Sequence, residues 1–156
     1  MGKTGRASDS AASMGLNVTM PCEARYLPIL RQLAERAAEY LGYRTSHRDD
    51  IVCAIEQAVL RVFEPGDAAY THVELRMAAS GRNMQVRIRY LGASPPRDGA
   101  SVIERLLSRS GPDGVPLDRL RRSMRTVVLG RGPDEDGADF CELTRALPEV
   151  SQESAP

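Results

Sequence analysis

The chain has 156 residues, with 21 basic and 21 acidic side chains, so its formal net charge is zero at neutral pH. This length suits one domain with a moderate core. The charge balance argues against direct nucleic-acid binding, which favours strongly basic domains, and fits a regulatory protein partner better.

The chain ends and the apolar runs predict where the protein resides and which part of it folds. No apolar run approaches the roughly 20 residues that a membrane helix needs, and the start lacks a signal-peptide pattern, so we expect a cytoplasmic protein with no membrane contact. Residues 1–15 and 148–156 are rich in small and polar side chains. Neither segment buries enough apolar surface to offset ordering entropy, so both are predicted to be disordered tails around one domain over 16–147.

A strand and a helix open this domain. Residues 16–20 alternate between apolar and polar side chains, which predicts the strand. A helix follows, with Pro28 near its start and Gly42 as its stop. Its apolar side chains recur at helical spacing and form one core-facing stripe: Leu30, Leu33, Ala34, Ala37, Ala38 and Leu41.

The next helix is predicted over Arg48–Phe63. Ser46 and Asp49 resemble a capping box, with the serine at the N-cap. Glu56 and Leu60 are one turn apart and share a face beside the apolar stripe. That stripe comprises Val52, Ile55, Val59, Val62 and Phe63.

A β-hairpin is predicted at the centre of the chain. Its strands are residues 71–78 and 84–91, joined by Ser80-Gly81-Arg82-Asn83. The later elements are an amphipathic stretch over 102–107, a helix over 117–124 opened by Pro116, and a closing strand pair over 125–130 and 140–144. This order predicts an α+β fold, a two-layer α/β sandwich with a mainly antiparallel sheet and helices on one face.

The three cysteines are widely spaced and include no Cys-x-x-Cys pair. They therefore predict reduced thiols and no zinc site. Cys53 lies in the second helix and Cys141 in the last strand, and we expect both to be small buried apolar residues.

Three short stretches bear on function. Glu56-Gln57-Ala58-Val59-Leu60 lies in the second helix, Tyr90-Leu91-Gly92 ends the central hairpin, and Gly114-Val115-Pro116 opens the later helix. In order and pattern, residues 16–147 resemble the anti-sigma-factor serine kinase family of the GHKL (histidine-kinase-like) ATPase superfamily, whose domain has the Bergerat fold. The corresponding family boxes are Glu-x-x-x-Asn, Asp-x-Gly and Gly-x-Gly.

The resemblance implies a role for each of these positions. In the family the glutamate activates the attacking group and the asparagine holds magnesium, so Glu56 matches the base, whereas Leu60 offers no oxygen to the cation. Tyr90 replaces the aspartate that receives adenine, although Gly92 is kept. Gly114 is kept in the third box, but Pro116 replaces the second glycine and removes a phosphate-binding amide.

With all three boxes altered, the resemblance implies a non-catalytic relative. It would bind no ATP or magnesium and no other metal, and would act by holding a sigma factor or its phosphorylatable antagonist protein. Partners would dock near the first helix and the lid segment 93–113. The family also implies a homodimer or a pair with an active relative. In this chain the lid segment is either a helix packed over the pocket or a partner-docking arm.

Two alternatives stay open. The protein is an active ATP-dependent protein serine kinase if Glu56 is the base, Gln57 or Asp50 supplies a metal oxygen and Tyr90 lies under adenine. Gln57 is about 100° round the helix from Glu56, which makes it a poor substitute for a residue one turn away. In the second alternative, the chain is an unrelated interaction domain and Glu56 is an ordinary half-exposed glutamate.

Overall fold

The structure is a computed structural model that describes residues 15–63, 70–92, 102–110, 114–131 and 138–148. The predicted tails lie outside these residues, apart from Gly15 and Pro148, as do residues 93–101 and 111–113 of the lid segment. The elements are β1 Gly15–Pro21, α1 Leu27–Tyr40, α2 Thr45–Phe63, β2 His72–Ser80, β3 Asn83–Leu91, α3 Val102–Ser108, α4 Pro116–Ser123, β4 Thr126–Arg131 and β5 Asp139–Ala146.

The strands form one five-stranded sheet in the order β1-β2-β3-β5-β4. Every neighbouring pair is antiparallel. The protein therefore has the predicted α+β architecture with an antiparallel sheet.

One face of the sheet carries the core. The register places Leu75 opposite Ile88 and Ile88 opposite Cys141, and all three are almost completely buried. Most alternate residues on the other face are polar, for example Glu74 paired with Arg89 at 2.9 Å. One apolar cluster joins the buried strand residues to the helices. This alternation accounts for the predicted two layers.

The first helix agrees with its prediction. Pro28 lies in its first turn, and Gly42 has a φ of +97°, a backbone conformation that favours glycine just beyond a helix. The members of the predicted stripe are buried, except that Leu33 is half-buried.

The start of α2 differs from the prediction. The helix begins at Thr45, because the Arg48 amide donates to the Arg44 carbonyl oxygen at 2.7 Å. Ser46 therefore lies inside the first turn and is not the N-cap. The Thr45 hydroxyl instead accepts a hydrogen bond from the Arg48 side chain at 2.8 Å.

The central hairpin turns through Gly81 and Arg82, since Ser80 pairs with Asn83. Gly81 has a φ of +62°. A glycine with positive φ at the first position is what a two-residue type II′ loop requires.

The two later helices pack into the molecule. In α3, Ile103, Leu106 and Leu107 are buried, so the apolar face of this part of the lid segment is covered by the protein itself. This placement fits the packed-helix alternative for α3. Among the described residues, no helix combines the length and apolar character that crossing a membrane requires.

Candidate functional site

Glu56 lies in a groove between α1 and α2. The groove has a volume of about 480 Å³, and its lining includes Arg31, Glu35, Asp49 and Glu56. The Arg31 Nε atom is 3.7 Å from Glu56 Oε1, and these side chains are 56% and 24% exposed. The candidate base is thus a half-buried carboxylate with a surface arginine beside it.

Gln57 faces a different space from Glu56. It lines a cleft between α2 and α4, together with Asp50, whereas Glu56 lines the groove on the α1 side. Successive helical residues are about 100° apart, which turns these two side chains toward different neighbouring helices. A metal ion held by Gln57 and Asp50 would therefore lie in a different space from Glu56. This geometry weighs against the substituted-ligand kinase.

Leu60 is half-buried and follows Glu56 by one turn of α2. It contributes less to the core than its neighbours Val59 and Val62, each about 1% exposed. Its side chain has no donor or acceptor atom for a cation or a phosphate.

Tyr90 is the most enclosed of the predicted site residues. It is 1% exposed, and its hydroxyl donates a hydrogen bond to the Ala58 carbonyl oxygen at 2.8 Å. Its ring centroid lies 5.4 Å from that of Tyr70, with the planes tilted by 43°. Burial raises the pKa of the Tyr90 phenol well above its ordinary value. The side chain fills the space between β3 and α2 and is fully engaged by the protein.

Gly92 is required by its own backbone. Its φ is +92°, and a Cβ atom there would lie 2.1 Å from the Thr71 hydroxyl oxygen. The start of β2 and the end of β3 are held together here, since the Thr71 amide donates to the Leu91 carbonyl oxygen at 2.9 Å. This glycine is explained by the close approach of β3 to Thr71, with or without a ligand.

The stretch from Gly114 to Pro116 offers few donors for an anion. Pro116 begins α4 and has no amide hydrogen. The Asp118 and Arg119 amides both donate to the Val115 carbonyl oxygen, at 3.0 and 3.3 Å. At this helix start, one amide that could face a phosphate is thus absent and two are already used.

A buried pair that the sequence analysis missed lies beside Tyr90. The Tyr70 hydroxyl donates to Asp139 Oδ2 at 2.5 Å, and both residues are nearly completely buried. Both come just outside the predicted strands 71–78 and 140–144, where the alternation pattern carries no signal. Only the register, which pairs Tyr90 with Asp139, reveals the cluster.

The cysteines divide into two kinds. Cys141 is fully buried, as predicted, and burial raises its pKa to about 12. The prediction for Cys53 is wrong: this residue is half-buried and lines both the groove and the cleft beside α2. It lies on the outer ridge of the helix, which the short apolar pattern does not distinguish from the core stripe.

The three stretches do not assemble into a site that fits magnesium-ATP. Glu56 is the one residue among them with a carboxylate for catalysis, but Leu60 supplies no metal ligand and Tyr90 occupies its own space. Within the described ranges, no group of three or more His, Cys, Asp or Glu side chains is placed to hold a metal ion.

No protein-family model matches this chain, and no curated protein matches it at a significant level.

Proposed function

We propose that this protein is a non-catalytic relative of the anti-sigma-factor serine kinases, with their histidine-kinase-like fold, and that it regulates transcription by binding a sigma factor or its antagonist protein. What supports the assignment is the order of elements on which the resemblance rests. The chain runs strand, two helices, hairpin, two helices, hairpin. The altered boxes fall at the end of α2, at the end of β3 and at the start of α4.

The proposal that the protein has no catalytic activity is supported by the almost complete burial of Tyr90. Its phenol donates a hydrogen bond to the backbone carbonyl oxygen of Ala58, which lies within the Glu56–Leu60 stretch of α2. An adenine ring would have to displace a fully buried aromatic side chain and break this hydrogen bond. Sequestration of a protein partner needs none of these groups.

The proposal that the protein binds a protein partner is supported by exposed side chains on α1. Ile29 and Tyr40 on this helix are large side chains with apolar surface, and they are 48% and 68% exposed. The resemblance implies that partners dock near this helix. These two residues are therefore the candidate contacts.

The direct test is calorimetric titration of the purified protein with ATP, with and without magnesium. We expect no heat and no thermal shift at millimolar nucleotide. Magnesium-dependent micromolar binding would overturn the non-catalytic assignment.

The partner is tested with the purified sigma factors and antagonist proteins of the same genome. We expect one of them to form a complex of defined stoichiometry with this protein. The variants Ile29→Ala and Tyr40→Ala should weaken that complex, whereas Val128→Ala, which alters an exposed residue on β4, should not. Equal affinity in all three variants would place the contact elsewhere, and no complex with any candidate would sink the proposal.

A further inference from the structure

The cleft between α2 and α4 has features of a binding site outside the three boxes. Its volume is about 290 Å³, and Arg119 and Arg122 lie on its α4 side. Drug-sized ligands occupy roughly 300 to 1,000 Å³, so this cleft suits a single small group.

An unusual side chain lies at the α2 wall of the cleft. Gln57 is only 9% exposed, and no other described residue makes a hydrogen bond with its side-chain amide. Neither polar atom of this amide is both completely buried and without a partner, so the amide reaches solvent. Since Gln57 lines the cleft, a ligand there can replace water as the partner of its donor and acceptor.

The charges around the cleft favour an anion. Asp50 is the acidic residue in the lining, and its Oδ2 atom lies 4.0 Å from Arg145 Nη2, which offsets its charge. The same guanidinium donates to the Ser123 carbonyl oxygen at 2.8 Å, so the negative end of α4 is also covered. Arg119 already has a partner within the protein, which leaves Arg122, an exposed side chain, as the cation for a ligand.

We propose that this cleft binds a phosphoryl oxyanion, with the Arg122 guanidinium as the charged donor and the Gln57 amide as the neutral one. A guanidinium donates two parallel hydrogen bonds to such a group, and an uncharged amide adds a third without a further charge. The ligand is either inorganic phosphate or a phosphorylated side chain of another protein. This inference does not depend on the proposed function, because it uses neither the three boxes nor α1.

The test follows the Gln57 side-chain amide by NMR during titration with inorganic phosphate, at constant ionic strength maintained with chloride so that screening stays fixed. We expect saturable shifts of this amide. Arg122→Gln should weaken binding at least about tenfold, the effect of losing one charge-assisted contact. Arg121→Gln, the matched control on the same helix turn, removes the same charge from an exposed residue outside the cleft lining and should leave binding unchanged.

Two variants of Gln57 separate ligand binding from folding. Gln57→Glu keeps the shape but adds a negative charge and should abolish phosphate binding, as followed through the backbone amides of α2. Gln57→Leu should weaken binding while thermal stability stays nearly unchanged, because the substitution removes no hydrogen bond within the described part of the protein.

The source of the anion is decided by competition. A phosphoserine peptide that displaces phosphate, when its unphosphorylated form does not, identifies a protein side chain; failure to displace phosphate identifies the free ion. The proposal is overturned if no saturable shifts appear up to about 50 mM phosphate, which is roughly ten times a weak Kd of about 5 mM. Equal weakening by Arg121→Gln and Arg122→Gln also overturns it, since that result indicates nonspecific attraction.

Discussion

The Tyr90 hydroxyl donates a hydrogen bond to the Ala58 carbonyl oxygen at 2.8 Å and ties the end of β3 to α2. A carbonyl oxygen inside a helix normally accepts from the amide four residues later, so the phenol adds a second donor to Ala58. Tyr90 thus holds the sheet against the helix layer.

Removal of this hydroxyl should destabilise the protein modestly. Tyr90→Phe keeps the ring but loses the bond to Ala58, and we expect the free energy of unfolding to fall by about 1 kcal/mol. Urea unfolding followed by circular dichroism measures it. Because Ala58 retains its helical donor, a loss above about 3 kcal/mol would show that the hydroxyl has a larger role than this one contact.

Introducing the residues of the proposed family at positions 60 and 90 should not create nucleotide binding. Tyr90→Asp replaces a buried ring with a smaller ionisable group, and we expect a loss of about 3 kcal/mol or more from the cavity and the unpaired carboxyl. Leu60→Asn alone should cost less than about 1 kcal/mol, because Leu60 is only half-buried. Recovery of tight magnesium-ATP binding in the double variant, with unchanged stability, would show that the pocket was open all along.

The buried pair beside Tyr90 should matter more than the single bond to Ala58. Tyr70→Phe removes the donor to Asp139 at 2.5 Å, and hydrogen bonds to carboxylates contribute about 1.5 to 3 kcal/mol. Tyr40→Phe is the matched control, because Tyr40 is 68% exposed and should tolerate the change. Equal unfolding midpoints for the two variants in urea would contradict the importance of the pair.

Gly92 should resist substitution for a purely structural reason. A Cβ atom at this position would lie 2.1 Å from the Thr71 hydroxyl oxygen, with φ at +92°. We expect Gly92→Ala to cost about 1 to 3 kcal/mol. Gly15→Ala, where no atom lies within 4 Å of the added Cβ, is the control and should be nearly neutral in thermal unfolding.

The protein should lose stability in alkaline solution. Burial raises the pKa of Cys22 from 9.0 to about 11 and that of Cys141 from 9.0 to about 12. The folded state therefore holds these protons at pH values where the unfolded chain releases them, so stability is complete below about pH 9 and falls as the pH rises toward 12.

Cys141 is fully buried and contributes a slope of up to about 1.4 kcal/mol per pH unit, whereas Cys22 is half-buried and contributes less. Urea midpoints measured from pH 8 to pH 11 under reducing conditions give the slope, and Cys141→Ala should make it shallower. Midpoints that stay flat across this range would contradict the prediction.

Local pattern was sufficient for most of the fold. The alternation in β1, the stripe of α1 and the Gly81 hairpin each depend on neighbours within a few residues, and the structure confirms these elements. The predicted start of α2 is wrong, because the capping-box pattern at Ser46 does not reveal the earlier backbone hydrogen bond. In that bond the Arg48 amide donates to the Arg44 carbonyl oxygen. The predicted burial of Cys53 is wrong, because the type of a small residue beside an apolar stripe does not indicate whether it faces the core or the solvent.

Periodicity and residue type are local properties, so most of the elements and the antiparallel sheet could be predicted from the sequence. Which side chains share a space depended on the tertiary structure. The packing gave Glu56 a groove against α1 and Gln57 a cleft against α4, brought Tyr70 to Asp139 across 69 positions of chain, and placed Arg122 at the same cleft as Gln57. Such contacts depend on how whole elements pack against each other, and no short window of residues contains that information.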